Sequence, residues 1–299
     1  MKNSSHYIPV TGKDTLHLKR FWKEPAGPPV FMLHGAIENG RVFYSASGKG
    51  LAPYLAQSGF DVYVADMRGH GESSPPIGRG SCYGQTEAIV EDIPAFISFI
   101  LRLRGVVPPY WVAHSWGGVL LSSFLARYPD YCASVSAIVY FGTSRKERVR
   151  NFHRFLIVDL IWNLFCPLVT MFSGYLPARQ IRFGSDNETA KYLRQCREWV
   201  YSDEWVDSDD GFDYGAAIKK IKLPPIWYIA AKNDPALGNP EDVRDTMNEA
   251  GMQESRYTVL SLEHGNRHDY GHITMLTHPD AVNDHFPGIA DWFRQHKKV

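Results

Sequence analysis

Ser115 stands in Ala113-His114-Ser115-Trp116-Gly117, where an apolar run meets a helical one. A strand, a sharp turn and a helix around a serine hold its hydroxyl exposed on a strained backbone, which suits nucleophilic attack. Small residues two before and two after the serine let strand and helix approach closely, and here they are Ala113 and Gly117. The bland alternative is a serine at a helix N-cap. A hydroxyl nucleophile needs a base for its proton and an acid to orient that base. Asp234 follows the run Ile226 to Ala230, at a strand's carboxyl end where a buried carboxylate can hold an imidazole, although it also reads as an Asx-turn residue before Pro235. His264, His268 and His272 follow the last apolar run, and each is a candidate base. After His34-Gly35, a tight loop aims the Ala36 N–H at a developing oxyanion, and the Trp116 N–H at a helix start is the second donor. The three histidines are spaced by four, as metal ligands on a helix would be, but Gly265 and Gly271 argue against a helix there, so no metal is expected.

These groups need a scaffold. Runs of β-branched and aromatic residues predict strands at 15–21, 30–33, 62–65, 110–113, 137–141, 226–230 and 257–260. Helical patterns fit at 50–57, 85–103, 117–128, 242–250 and 281–296, which together suggest a mainly parallel sheet covered on both faces. Asp242 reads as an opening residue of its helix. From Thr143 to about Tyr214 no convincing strand is visible, so this interval reads as an inserted helical cap.

The chain has 299 residues, 44% hydrophobic and 21% charged, which is globular composition. Its 32 basic and 32 acidic side chains give a formal net charge of +0, leaving no basic excess to hold nucleic acid. Cys82, Cys132, Cys166 and Cys196 are too scattered for a disulfide framework and form no C-x-x-C pair. The opening residues lack an apolar signal core, so a cytoplasmic location is the expectation. The most apolar stretch, 155–172, is interrupted by Asp159, Asn163 and Pro167 and reads as a buried or lid helix rather than a membrane span; without a Lys/Arg-rich polar face it argues only weakly for a membrane surface.

His34-Gly35, the segment Asp66-Met67-Arg68-Gly69-His70-Gly71-Glu72-Ser73, the Ser115 turn, and a later acid and histidine in that order resemble the α/β-hydrolase superfamily, of the serine-nucleophile esterase and lipase type. The resemblance implies an eight-stranded, mostly parallel sheet flanked by helices, with the site at the strands' carboxyl ends. Residues 1–143 and 215–299 would form the core and 144–214 the cap. It implies a structural loop for 66–73, and Asp66 precedes Ser115 where the order should be serine, acid, histidine. Residues 269–276 are similar to the histidine loop of an acid-lipase-like branch, as are Phe212-Asp213-Tyr214-Gly215, with Thr274 standing where that branch has Asp. This favours His272 as the base, with His268 next.

The expected chemistry is hydrolysis of a small-molecule carboxylic ester through an acyl-enzyme on Ser115, with no cofactor. Peptidase or thioesterase action with the same groups is the enzymatic alternative, and a non-catalytic small-ligand receptor the other. Serine at the nucleophile position argues against the carboxylate-nucleophile chemistry of haloalkane dehalogenases and epoxide hydrolases. Acyl length and oligomeric state stay open.

Overall fold

In the computed structural model, which describes residues 1–251 and 255–298, the apolar runs form one eight-stranded sheet. Its strands are β1 Lys2–Pro9, β2 Thr15–Trp22, β3 Pro29–Leu33, β4 Asp61–Asp66, β5 Tyr110–His114 and β6 Ala137–Phe141, followed after a long interval by β9 Ile226–Ala231 and β10 Arg256–Leu260. Within that interval β7 Tyr175–Leu176 and β8 Glu188–Thr189 make a separate antiparallel pair. The spatial order is β1-β2-β4-β3-β5-β6-β9-β10. The pairings β1–β2 and β2–β4 are antiparallel, and every pairing from β4 across to β10 is parallel. This is the α/β-hydrolase architecture that the sequence implies.

Alternation along the central strands feeds two cores, because successive side chains leave a strand on opposite faces. Phe31, Trp111, Tyr140 and Tyr228 pack on one face with helices Ile93–Arg104 and Trp116–Arg127. Val30, Val62, Val112, Val139 and Ile229 pack on the other with Leu51–Gln57 and Phe286–Gln295. Strand β1 is the one sheet strand that hydrophobic patterning misses. It is polar, lies at the sheet edge, and buries only Ile8.

The interval between β6 and β9 carries helices Phe152–Ser173 and Ala190–Tyr201. Of the two alternatives, a buried or a lid helix, the first of these does not meet the buried one: only 17% of its most apolar window is buried. Asp159, Asn163 and Pro167 do not stop it. Residues Phe155–Phe165 are wound with i→i+5 hydrogen bonds, and this winding ends just before Pro167, whose missing N–H falls where the bonding pattern changes. Of the described helices it is the one long and apolar enough to cross a membrane.

Arg145 ties this interval to the core. Its guanidinium is fully buried, pairs with Glu249 at 2.5 Å, and donates to the Trp199 carbonyl at 2.7 Å and the Ser202 carbonyl at 3.2 Å. Removing it takes the donor from two carbonyls and leaves Glu249 with Lys146 at 3.2 Å as its remaining partner. Arg145→Met is expected to cost about 3–5 kcal/mol, read as a lower urea midpoint. An unchanged midpoint would show that this anchor contributes nothing.

Candidate active site

At the end of β5 the chain turns so tightly that Ser115 has φ 52° and ψ −128°, in a region that side-chain-bearing residues seldom occupy. Its N–H donates to the Phe141 carbonyl at 2.7 Å, and its own carbonyl accepts from the Thr143 hydroxyl at 3.0 Å. Close approach explains the glycines. A Cβ at Gly117 would lie 2.4 Å from the His34 carbonyl oxygen, and one at Gly35 would lie 2.8 Å from the Ser115 Cβ.

Asp234 and His272, 38 positions apart, meet behind the turn: His272 Nδ1 lies 2.5 Å from Asp234 Oδ2. Asp234 is 2% exposed and also accepts from the Leu237 N–H at 3.1 Å. Burial alone would raise its pKa, but the charge and hydrogen bond of His272 outweigh burial and hold it low. For His272, burial would lower the pKa, yet the attraction of Asp234, with Glu38 adding to it, leaves it above the ordinary 6.5.

Ser115, His272, Ala36 and Trp116 all border one cavity of about 460 Å³, within the usual size range of small-molecule pockets. Among the described residues, neither the Ala36 nor the Trp116 N–H has a hydrogen-bond acceptor in the protein. The rest of the wall is largely apolar, with Ile37, Val158, Trp162, Phe183 and Ile273, while Arg41 and Arg182 add charge. Such a site can activate a hydroxyl, hold an anion on two amides and cover an apolar group.

The other histidines go elsewhere. His268 Nε2 sits 2.7 Å from Asp280 and His264 Nδ1 sits 2.8 Å from the Ser261 hydroxyl, and neither borders the cavity. The three spaced by four therefore have three different partners. His34 accepts from the Met67 N–H at 3.1 Å, a loop-holding contact. Asp66 accepts from His17 at 2.7 Å and from the Gly40 and Glu72 N–H groups at 2.7 and 3.0 Å, which makes its segment a bonded loop. Asp242 lies in the first turn of Pro240–Glu249 and accepts from the Arg148 N–H at 2.8 Å.

Two residues in the site escape sequence reading. Glu38, 8% exposed, accepts from the Gly35 N–H at 3.0 Å and from His114 Nδ1 at 2.8 Å, while His114 Nε2 lies 2.9 Å from the His272 carbonyl. One chain of bonds thus joins the loop carrying Ala36 to the backbone of His272. Against burial, which raises it, His114 brings the Glu38 carboxyl down to about 2. Glu147 borders the cavity too, and burial with Asp242 and Asp234 nearby pushes its pKa well above the carboxylate range. For Glu38 the only sequence signal was an acid just beyond His34-Gly35, and Glu147 had none.

Two groups could gather ligand atoms around a metal, namely Glu38 with His114 and His272, and His268 with His278 and Asp280, each within 4.8 Å. The first is already linked by the hydrogen bonds above, and no cofactor cradle is needed for what the site can do.

A family model described as alpha/beta hydrolase fold matches residues 28–158. Bifunctional epoxide hydrolase 2 of Sus scrofa is 32% identical over 137 residues, 45% of this chain but 22% of that protein. Lysosomal acid lipase/cholesteryl ester hydrolase of Homo sapiens is 27% identical over 148 residues, covering 44% of this chain and 37% of that protein. The chain thus spans well under half the length of these curated relatives. Among solved structures, a putative aryl esterase from Burkholderia cenocepacia superposes with a TM-score of 0.63 at 17% identity, over 98% of this chain and 99% of that one. At that identity the likeness is one of fold.

Glu38→Gln keeps the shape but removes the charge that His114 faces. It is expected to lower stability by about 1–3 kcal/mol at neutral pH, read by urea unfolding. Because folding lowers the Glu38 pKa, its contribution is present above 4.5 and is lost as pH falls through 4.5 toward about 2. The gap between wild type and variant should close over that window, and a gap independent of pH would contradict the assignment.

Proposed function

This chain has the α/β-hydrolase fold, and from that premise we propose that it is a serine hydrolase cleaving carboxylic esters through an acyl-enzyme on Ser115. The observation that carries the reading is the convergence of a strained serine, a His272–Asp234 pair at 2.5 Å and two unbonded amides on one largely apolar cavity. His272 takes the Ser115 proton, and the hydroxyl oxygen attacks the substrate carbonyl. The Ala36 and Trp116 amides receive the oxyanion, the Trp116 amide at a helix start where the dipole favours negative charge. His272 then protonates the leaving alcohol, and a water repeats the sequence to release the acid. Asp234 holds the imidazole tautomer throughout.

The interval 144–214 acts as a cap, since Val158, Trp162 and Phe183 cover the cavity that holds Ser115. Their apolar side chains suit the acyl part of an ester. The epoxide hydrolase relative does not transfer its chemistry by name, because this chain presents a serine at the turn.

Hydrolysis of nitrophenyl esters from acetyl to palmitoyl is the test. Wild type should turn over at least one ester, while Ser115→Ala and His272→Ala should each lose roughly 10⁴-fold or more and remain folded. Thioester and peptide substrates run alongside would identify the other acyl-transfer chemistries. No turnover on any of them would sink the reading.

The pH profile supplies a second check. The base must be neutral, so kcat/KM should fall as pH drops through an apparent pKa above 6.5. Asp234→Asn should lower the rate by roughly 10⁴-fold and move that limb to lower pH. An acid limb below 6.5 in wild type would contradict the pairing.

A further inference from the structure

Helix Phe152–Ser173 turns apolar side chains to solvent, the reverse of a water-facing helix. An ordinary surface helix buries its apolar stripe and shows charge to solvent. Within its 22 residues the most apolar window of 18 has a mean hydropathy of 2.0, and 17% of that window is buried. Phe152, Phe155, Leu164, Leu168, Met171 and Phe172 all stand in solvent, Phe152 and Phe172 at 73% and 74% exposure. From 155 to 173 the one charged residue is Asp159, and Arg154 neutralises it at 2.6 Å. Contiguous apolar surface on this scale marks an interaction site.

We propose that this face docks on a lipid surface, with the helix lying in the plane of the interface. The opposite side of the helix excludes a spanning arrangement. Val158 and Cys166 are buried, Cys166 packs with Leu176 and Leu193, and Val158 and Trp162 line the cavity that holds Ser115. That side is committed to protein while the other is free for lipid.

Charge selects the occupant. Exposed Arg150 precedes the helix, beside an Arg148 that pairs with Asp203 at 2.5 Å, Arg79 donates to the Phe172 carbonyl at its far end at 2.9 Å, and exposed Arg179 follows. Cations at both ends with an uncharged stretch between them match an apolar bed bordered by anionic headgroups. A second copy pairing through this face would set arginine ends against arginine ends in either orientation. Lipid satisfies both the stripe and its ends.

The docking itself does not depend on the hydrolase reading. Its corollary does: an ester borne by the same lipid surface lies one helix width from the Ser115 cavity, which makes lipid-partitioned acyl esters the substrate class.

Co-sedimentation of the full chain with phosphatidylcholine vesicles, with and without phosphatidylglycerol, tests the proposal. Wild type should bind, several-fold more tightly when the anionic lipid is present. The triple variant Phe155→Gln, Leu164→Gln, Met171→Gln, which leaves the cavity walls untouched, should lose binding by about tenfold or more. Leu101→Gln with Leu103→Gln, exposed apolar residues on another helix, should not change it. Circular dichroism establishes folding of each variant, and fluorophosphonate labelling of Ser115 reports separately on the hydrolase reading. Absence of binding to either vesicle, unchanged binding by the triple variant, or a wild-type dimer that this variant splits would each overturn the proposal.

Discussion

A parallel strand must hand the chain to a helix within one residue, and the space for that turn is too small for ordinary side chains. Ser115 absorbs the strain with φ 52°, and the room comes from Gly117 against the His34 carbonyl and Gly35 against the serine's own Cβ. The rest of the site follows from this constraint. A hydroxyl at the top of such a turn projects away from the sheet, the next amide is left without a partner at a helix start, and the neighbouring loop after β3 comes close enough to offer another.

What then needs explanation is how loops from distant parts of the chain hold register around the turn. The sheet does part of it, because β3, β5, β6 and β9 are adjacent in a parallel array and deliver their carboxyl ends to one side. Side-chain bonds do the rest. Asp234 orients the His272 ring, and Glu38 and His114 connect the loop of Ala36 to the carbonyl of His272. Positioning therefore acts on ring and backbone of the same histidine. Charges buried in this way are stable only while paired, so the network is also where a change of protonation would first disturb the site.

Much of this was legible in the residues. Val30–Leu33, Tyr110–Ala113 and Ala137–Phe141 declare themselves as buried strands because both faces of a central parallel strand are apolar. Strand β1 does not, since an edge strand with one buried side chain carries no hydrophobic pattern. Ser115, Asp234 and His272 could be nominated from chain order and local context, but choosing His272 over His268 required a family likeness or the fold, which pairs His268 with Asp280 instead. Glu38 and His114 were invisible as a pair because 76 residues separate them. Periodicity was least informative for Phe152–Ser173: with apolar residues all round, nothing in the spacing says which face meets the protein and which meets the outside.

The most direct measurement of the central claim is covalent labelling by a fluorophosphonate followed by intact mass and peptide mapping. Wild type should gain a single adduct on Ser115, with a rate that falls as His272 becomes protonated and that drops sharply in His272→Ala. An unlabelled folded protein, or an adduct on another residue, would contradict the account of Ser115 as the nucleophile.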